Sequence, residues 1–590
     1  AELPYQAAMS VETDLALAGQ RLQQGQYKPA YKAAKSALRK APKSPAALNL
    51  AGIALSGMGQ RREAVELFRK ALKLAPEFHD ARKNLGQTLV LLGQPEPAAA
   101  LLEKLVTQTP KDAGAWYLLA QARANAGRLE AAEAAASTSI GLAPTQARAL
   151  NLRALLRDRQ GLIAEALEDY RAALRINPDD VETLINISLP LARQLRSDEA
   201  LEAVRRAVRL APGHLGARLR LAMQLVEMGQ SEAAIEEYRQ VLARDPAQPE
   251  AIERLAELQG PAENTSLAPR LRAALQAAPR RSEARAALLF AQARIADQAG
   301  ERAQAEKALA EANREMAAIL PYDAAGDRAL TNRLLARFAG PLPDRAPDPA
   351  RPRPVYVVGL PRSGTTLTEA ILGAHPEVVP LGERAAAGIL LKPVIDGDLP
   401  FDAAAVARFV EGDRRLLPEL PDGTRAYVDK MPENHRLVGF LKTAYPEARI
   451  VNLRRDPRDV ALSMWRGHFA GTALAYTYDL AGMAQRFNLY AETMAHWHRV
   501  CPGAILDLRY EEMAADVEWA SRSLASFCGL DWTPEMARPD QAAGPVLTLS
   551  AAQLRQPVHT RSVGRWREHV AALAPFIAGL DLALWPEIAG

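Results

Sequence analysis

At 590 residues the chain is about twice the size at which one hydrophobic core stops growing, so at least two domains are expected. Its 73 lysines and arginines nearly balance 69 acidic residues. The resulting formal charge of +4 gives no argument for nucleic acid or a membrane surface, so any basic site must be local. Two cysteines, Cys501 and Cys528, are too few for a disulfide framework and lack metal-ligand spacing, which fits a reducing compartment. There is no apolar run of about 18 residues and no basic-then-apolar leader pattern. The first residue is not Met, which leaves a trimmed start open.

The first half is periodic. Proline recurs at Pro42, Pro76, Pro110, Pro144, Pro178, Pro212 and Pro246, each 34 residues after the last. Glycine keeps the same register at Gly25, Gly59, Gly93, Gly127, Gly161 and Gly229, with Leu195 the exception. Alanine does so at Ala30, Ala64, Ala98, Ala132, Ala166, Ala200 and Ala234. A small residue fills Ala18, Gly52, Gly86, Ala120, Ala154, Ser188 and Ala222. Four interlocked series at this period are the pattern of tetratricopeptide (TPR) repeats. The small residues let helices A and B of each repeat approach, the glycine makes the turn between them, and the proline stops helix B. In the second repeat, helix A is expected from about Pro45 to Met58 and helix B from about Arg62 to Leu74. Leu48, Ala51, Leu55, Val65, Phe68 and Leu72 then fall on faces that a neighbouring repeat can bury.

Seven repeats from about residue 11 place a TPR array over residues 1–248. Residues 249–338 read as an irregular, repeat-like helical connector. The stretch from Glu250 to Gly260 starts like another helix A, and Pro279 falls one residue early. Two helix-like stretches between Ser282 and Ala318 break near Gly300, and a last helix is expected from Ala325 to Phe338. Stacked helix pairs build a curved solenoid whose concave face suits a peptide or protein; the alternative is a rigid spacer.

Six prolines between Gly340 and Pro354 make residues 339–354 an extended linker. Beyond it strands and helices alternate, so residues 355–590 read as an α/β domain with a mostly parallel sheet. Val355 to Val358 reads as a buried strand, and a helix starts near Leu367. Between them, a loop with two glycines leads into a helix N-terminus, which builds an anion cradle. The spacing Gly359-x-x-x-x-Gly364 is that of a Walker loop, but Thr365 stands where the phosphate-gripping lysine belongs. That argues for a ligand without a γ-phosphate, with Arg362 and Ser363 supplying a cation and a hydroxyl. Further strands are expected from Arg425 to Asp429, Ala448 to Leu453 and Ala504 to Leu508, and a helix from about Glu511 to Cys528 stopped by Gly529. Asp456 suits an N-cap and Pro457 the first helical position.

Pro361-Arg362-Ser363-Gly364-Thr365-Thr366 resembles the 5′-phosphosulfate loop of sulfotransferases that use PAPS (3′-phosphoadenosine 5′-phosphosulfate). The likeness is to tyrosylprotein sulfotransferases and to bacterial sulfotransferases carrying TPR repeats. It implies an all-α TPR superhelical solenoid followed by an α/β, P-loop-like sulfotransferase domain. The resemblance assigns Arg362, Ser363, Gly364, Thr365 and Thr366 to the donor. In Gly382-Glu383 it makes Glu383 the catalytic base, although a carboxylate there also reads as a surface charge. It places Lys430, at the end of a strand, on the transferring group, and makes Arg362 a second catalytic cation that neutralises that group. Arg455 and Ser463, eight residues apart, resemble the 3′-phosphate site, which distinguishes PAPS from ATP. Tyr510 matches a nucleotide-binding tyrosine, with a packing role as the alternative. Ser550 matches a serine at the sulfate end, and Arg561, Ser562 and Gly564-x-Trp566 resemble a loop closing over the nucleotide. His435 is a rival base, since some cytosolic relatives use histidine, but a helix-surface position is the plainer reading.

The activity implied is transfer of a sulfuryl group from PAPS to an acceptor hydroxyl, with PAP as product and no metal required. The acceptor is a protein or peptide tyrosine bound with help from the TPR concave face, or else a carbohydrate or small phenol. Nucleic acid and membrane partners are not expected, and the compartment is the cytoplasm. Two rivals are a TPR scaffold with a non-catalytic nucleotide-binding domain, and a kinase of related fold. Intact Glu383 and Lys430 speak against the first, and the missing P-loop lysine against the second.

Overall fold

The computed structural model describes residues 10–340, 342, 346, 348, 351–469, 471–541 and 558–588. The chain divides into two compact units, residues 1–186 and 187–590. The first is a series of helical hairpins: Val11–Gln23 with Tyr27–Lys40, Pro45–Gly57 with Arg61–Leu74, His79–Leu91 with Pro95–Gln108, Ala113–Asn125 with Leu129–Leu142, and Ala147–Arg159 with Ile163–Ile176. The boundary falls within helix Val181–Arg193. Phe68, Leu85, Leu102, Leu119 and Leu156 belong to one continuous core of the first unit. The small-residue series has a direct cause. At Gly52 a Cβ would lie 2.6 Å from the ring of Phe68, so only glycine lets these two helices meet.

The second unit continues with Ser197–Leu210, Leu215–Glu227 and Ser231–Arg244. Pro249–Leu258, Pro261–Ala277, Glu283–Gln298, Arg302–Ile319 and Ala324–Ala336 follow. Helix Pro261–Ala277 has no counterpart in the sequence reading, because Pro261 and Pro269 look like breaks. Pro261 is tolerated at the first helical turn, where its missing N–H has no intrahelical partner.

Every glycine of the turn series has a positive φ, between 70° and 82°, and Leu195 in the same register has φ 60°. Left-handed backbone costs an L-residue roughly 1–2 kcal/mol. Here the strained residue is an exposed leucine that contributes no core packing.

The sheet consists of β1 (Arg353–Gly359), β2 (Val378–Pro380), β3 (Ala426–Asp429), β4 (Arg449–Arg454) and β5 (Ile505–Arg509). Their order is β2-β3-β1-β4-β5, and every pair is parallel. The sequence reading lacks β2, whose three residues are too short to show alternation. The single helix expected from Glu511 is two, Tyr510–Ala515 and Val517–Cys528. Asp516 leaves helical conformation between them and caps the second, accepting from the Trp519 N–H at 2.9 Å.

Alternate residues of β1 feed two cores, Tyr356 and Val358 on one face and Val355 and Val357 on the other. The first of these cores is shared with the helices that precede the sheet. Leu289, Phe290, Met316, Leu334 and Phe338 join Phe440, Trp465, Phe487 and Trp497 in one cluster. Phe338 meets Phe440 and Trp497 edge-on, at 4.7 and 5.5 Å between ring centres. Asn313 Nδ2 donates to the carbonyl of Trp465 at 2.9 Å, and Asp327 pairs with Arg436 and Arg486.

We expect Leu195→Gly to stabilise the second unit by about 1 kcal/mol, the relieved strain less the extra chain entropy of glycine. Thermal melting of the full chain checks this; a lowered midpoint would contradict it.

Candidate active site

In a parallel sheet all strands present their carboxyl ends to one edge, and ligands settle where the connections diverge to opposite sides. Here that crevice lies beyond β1 and β4. The loop leaving β1 carries Arg362 in a left-handed conformation, φ 69°, a strained state often found at functional loops. Gly364, φ 111°, precedes helix Thr365–Gly373 and has no side chain with which to cap it. A Cβ at Gly364 would sit 2.6 Å from the ring of Tyr510, so the cradle requires glycine there. Ser363 is buried beneath the loop, and its hydroxyl has no hydrogen-bond partner among the described residues. A helix start led by glycine, with an orphan hydroxyl beneath it, suits a phosphate-sized anion.

Arg455, just past β4, donates to the carbonyls of Arg362 at 3.2 Å and Ser562 at 2.8 Å. Its guanidinium lies 4.3 Å from the ring centre of Tyr510, the residue after β5. Arg362 Nε donates to Ser463 Oγ at 3.1 Å, and the Tyr510 and Ser562 hydroxyls are 3.1 Å apart. Asp459, absent from the sequence reading, holds this loop in place. Its carboxylate accepts from the N–H groups of Gly564 at 2.6 Å and Trp566 at 2.9 Å. An acid in the first turn of helix Pro457–Trp465 was the available signal.

These groups line a cavity of about 580 Å³. Of the expected donor residues, Arg362, Gly364, Thr365, Thr366, Arg455, Ser463, Tyr510 and Arg561 face it. Ser363 lies below its surface, and Ser550 is outside the described residues. Seven arginines line the cavity against three carboxylates. That excess suits a ligand with two phosphate groups, each carrying roughly −1.5 to −2.

Lys430 and Glu383 are brought together, but apart from the cavity lining. Lys430 follows β3 and is fully buried; its Nζ donates to Glu383 Oε1 at 2.5 Å. The Glu383 side chain is 45% exposed, so the pair joins a sealed ammonium to a carboxylate open to an approaching molecule. The turn holding Glu383 is tied to β3: Leu381 N–H donates to Val428 O, and Lys430 N–H to Gly382 O. Glu369, which sequence reading passed over, accepts from the Gly382 N–H at 2.7 Å. It sits on the helix that opens with the anion cradle and thereby links the two halves of the site. Its helical spacing of four from Thr365 and three from Leu372, both buried, was the signal.

A sulfotransferase family model matches residues 354–396 and 399–534, and tetratricopeptide-repeat models match 55–113, 93–156, 147–180 and 215–258. The chain joins tetratricopeptide repeats to a sulfotransferase-family domain. An uncharacterised protein of Aquifex aeolicus (strain VF5) is 31% identical over 297 residues, 46% of this chain and 38% of that one. The chain thus spans well under half the length of that relative. Protein-tyrosine sulfotransferase 2 of Gallus gallus is 22% identical over 268 residues, 38% of this chain and 68% of its own. Cytosolic sulfotransferase 14 of Arabidopsis thaliana is 26% identical over 204 residues, 31% of this chain and 56% of its own. Among solved structures, MamA from Desulfovibrio magneticus RS-1 is 26% identical, covering 29% of this chain and 96% of its own with a TM-score of 0.27.

Burial governs the electrostatics of the sulfotransferase domain. Desolvation pushes the Glu369 carboxyl up to about 7, against the pull of Lys430 and the Gly382 N–H. Asp429, beside Arg384 and Asp413, is raised to about 7 by the same cause. His435 is not on a helix surface. It is buried, bonds the Pro432 carbonyl through Nδ1 at 3.0 Å and meets Tyr490 edge-on, and burial lowers it to about 4. That packing leaves Glu383 the better-placed proton acceptor of the two.

A glutamate raised in the folded state above its ordinary 4.5 stabilises the fold below that value, and the contribution is lost as pH rises through about 7. Glu369→Gln keeps the acceptor oxygen without the charge. Relative to the parent chain, the variant should gain stability at pH 8 over pH 5, read from denaturation midpoints. An equal difference at both pH values would show that Glu369 holds no extra proton.

Proposed function

We propose that the protein is a PAPS-dependent sulfotransferase that sulfates an acceptor hydroxyl, with a protein or peptide tyrosine as the acceptor class. The observation that carries this reading is the cationic cavity at the cradle. A glycine-led helix start without the Walker lysine lies beside Arg455 and Ser463, which suits a 5′-phosphosulfate and a 3′-phosphate together. Arg362, through Ser463, belongs to this anion site. The match to the sulfotransferase family model supports the activity class. The protein-tyrosine sulfotransferase among the relatives supports the acceptor class.

In this reading the acceptor oxygen bonds to sulfur as the bond from sulfur to the bridging phosphosulfate oxygen breaks and PAP leaves. Glu383 receives the hydroxyl proton, and its partial exposure lets an acceptor reach it. Lys430, released from Glu383 by that proton, offers its charge to the departing oxygen. The cradle N–H groups and the arginines hold the phosphates in line, so positioning and fixed charge lower the barrier. The TPR helices are assigned to recognition of the acceptor. Residues 355–590 carry the catalytic motifs, with 1–248 as repeats and 249–338 as connector. The cytoplasm is proposed as the compartment, supported by the buried, unpaired Cys501 and Cys528.

The test uses the full chain. PAP should raise its melting temperature and ATP with Mg²⁺ should not; a ligand at 100 times its Kd stabilises by about 2.7 kcal/mol. Glu383→Ala and Lys430→Ala should each lower turnover at least about 100-fold while still binding PAP. Arg455→Ala should weaken PAP binding about tenfold or more. Normal turnover in all three variants would refute the assignment.

A further inference from the structure

One wall of the donor cavity does not come from the sulfotransferase motifs. Helices Pro249–Leu258 and Glu283–Gln298, from the repeat-like stretch, contribute Arg254 and Arg294. Their placement is fixed by contacts on both sides. His468 Nδ1 bonds Glu253 at 3.0 Å, and its ring stacks on Phe290 at 5.2 Å. Asp297 pairs with Arg466, and Arg294 lies one turn earlier on the same helix face.

This wall also brings Glu253 and Glu257, so the question is which of its charges are already paired. All three cavity carboxylates are engaged: Glu253 with His468, Glu257 with Arg254 at 2.9 Å, and Asp459 with the Gly564 and Trp566 N–H groups. Arg294 has no carboxylate within ion-pair distance among the described residues. Its field, with that of Arg455, adds to burial in lowering the Arg362 guanidinium while Glu257 pulls the other way, and with Arg565 it adds to burial in lowering Arg466 against Asp297. Cations that converge on a cavity in excess of its acids gain when an anion enters between them. Arg294 is also exposed at its surface position, so no packing requirement explains an arginine there.

We propose that Arg294 is a donor-binding residue, so that the repeat-like helices complete the nucleotide site of the sulfotransferase domain. The ligand class is a nucleoside bisphosphate, and the inference rests on the donor reading above. Donor binding and the position of helix Glu283–Gln298 are then coupled, because the anion bridges Arg294 to Arg362 and Arg455 across the cavity.

Titration calorimetry of the full chain with PAP tests this, alongside donor KM and kcat. Arg294→Ala should weaken PAP binding about tenfold, and Arg294→Glu further, with donor KM rising and kcat within about twofold. Arg302→Ala serves as the control. It removes the same charge from the next helix, where Arg302 pairs with Glu568 outside the cavity, and should bind PAP as the parent does. If Arg294→Ala binds PAP as tightly as the parent chain, the inference fails and the donor reading stands. If kcat falls with KM unchanged, Arg294 is not a donor-binding residue. If the parent chain binds no PAP, both readings fall together.

Discussion

A parallel sheet sends every strand's carboxyl end to the same edge, and the candidate site of this protein follows from that constraint. β1 ends in the anion cradle, β2 in the turn of Glu383, β3 in Lys430, β4 in Arg455 and β5 in Tyr510. Residues up to about 150 positions apart thus meet without any long excursion of the chain. Because backbone ladders fix the strand register, they also fix the site. Lys430 N–H bonds Gly382 O, so a slip of β3 against its neighbour would part the ammonium from Glu383.

Much of this was legible in the sequence because the signals were local. The interlocked series at one period gave the hairpins nearly residue by residue, with helices at Pro45–Gly57 and Arg61–Leu74. The prolines and caps around Asp456 and Gly529 placed helix ends correctly. The environment of each side chain was not legible, since it depends on segments far away in the chain. Nothing near Arg362 says that its side chain turns to Ser463. Nothing near His435 says that it is sealed against Tyr490. Glu369 looks like an ordinary helix acid until β2 and its turn are laid over it.

The helices before the sheet show the same limit on a larger scale. Their sequence looks like decaying repeats, yet Phe290, Leu334 and Phe338 are core residues of the sheet's own cluster. Solenoid helices normally bury their faces against the next hairpin. Here the last ones spend those faces on Phe440, Trp465 and Trp497, and the repeat register dissolves as the new partner takes over. The Asp327 cluster with Arg436 and Arg486 adds a buried polar junction that leaves little tolerance for sliding.

That shared core bears on how such chains can be recombined during evolution. The proline-rich stretch looks like the natural seam for exchanging one repeat array for another. A crossover there would strip Phe338 from between Phe440 and Trp497 and leave an apolar face of the sheet layer bare. Shuffling that preserves a folded product must carry the helices from Glu283 to Ala336 along with the sheet. A change in the number of amino-terminal repeats would leave that core untouched, while the last hairpin goes with the sulfotransferase-family domain.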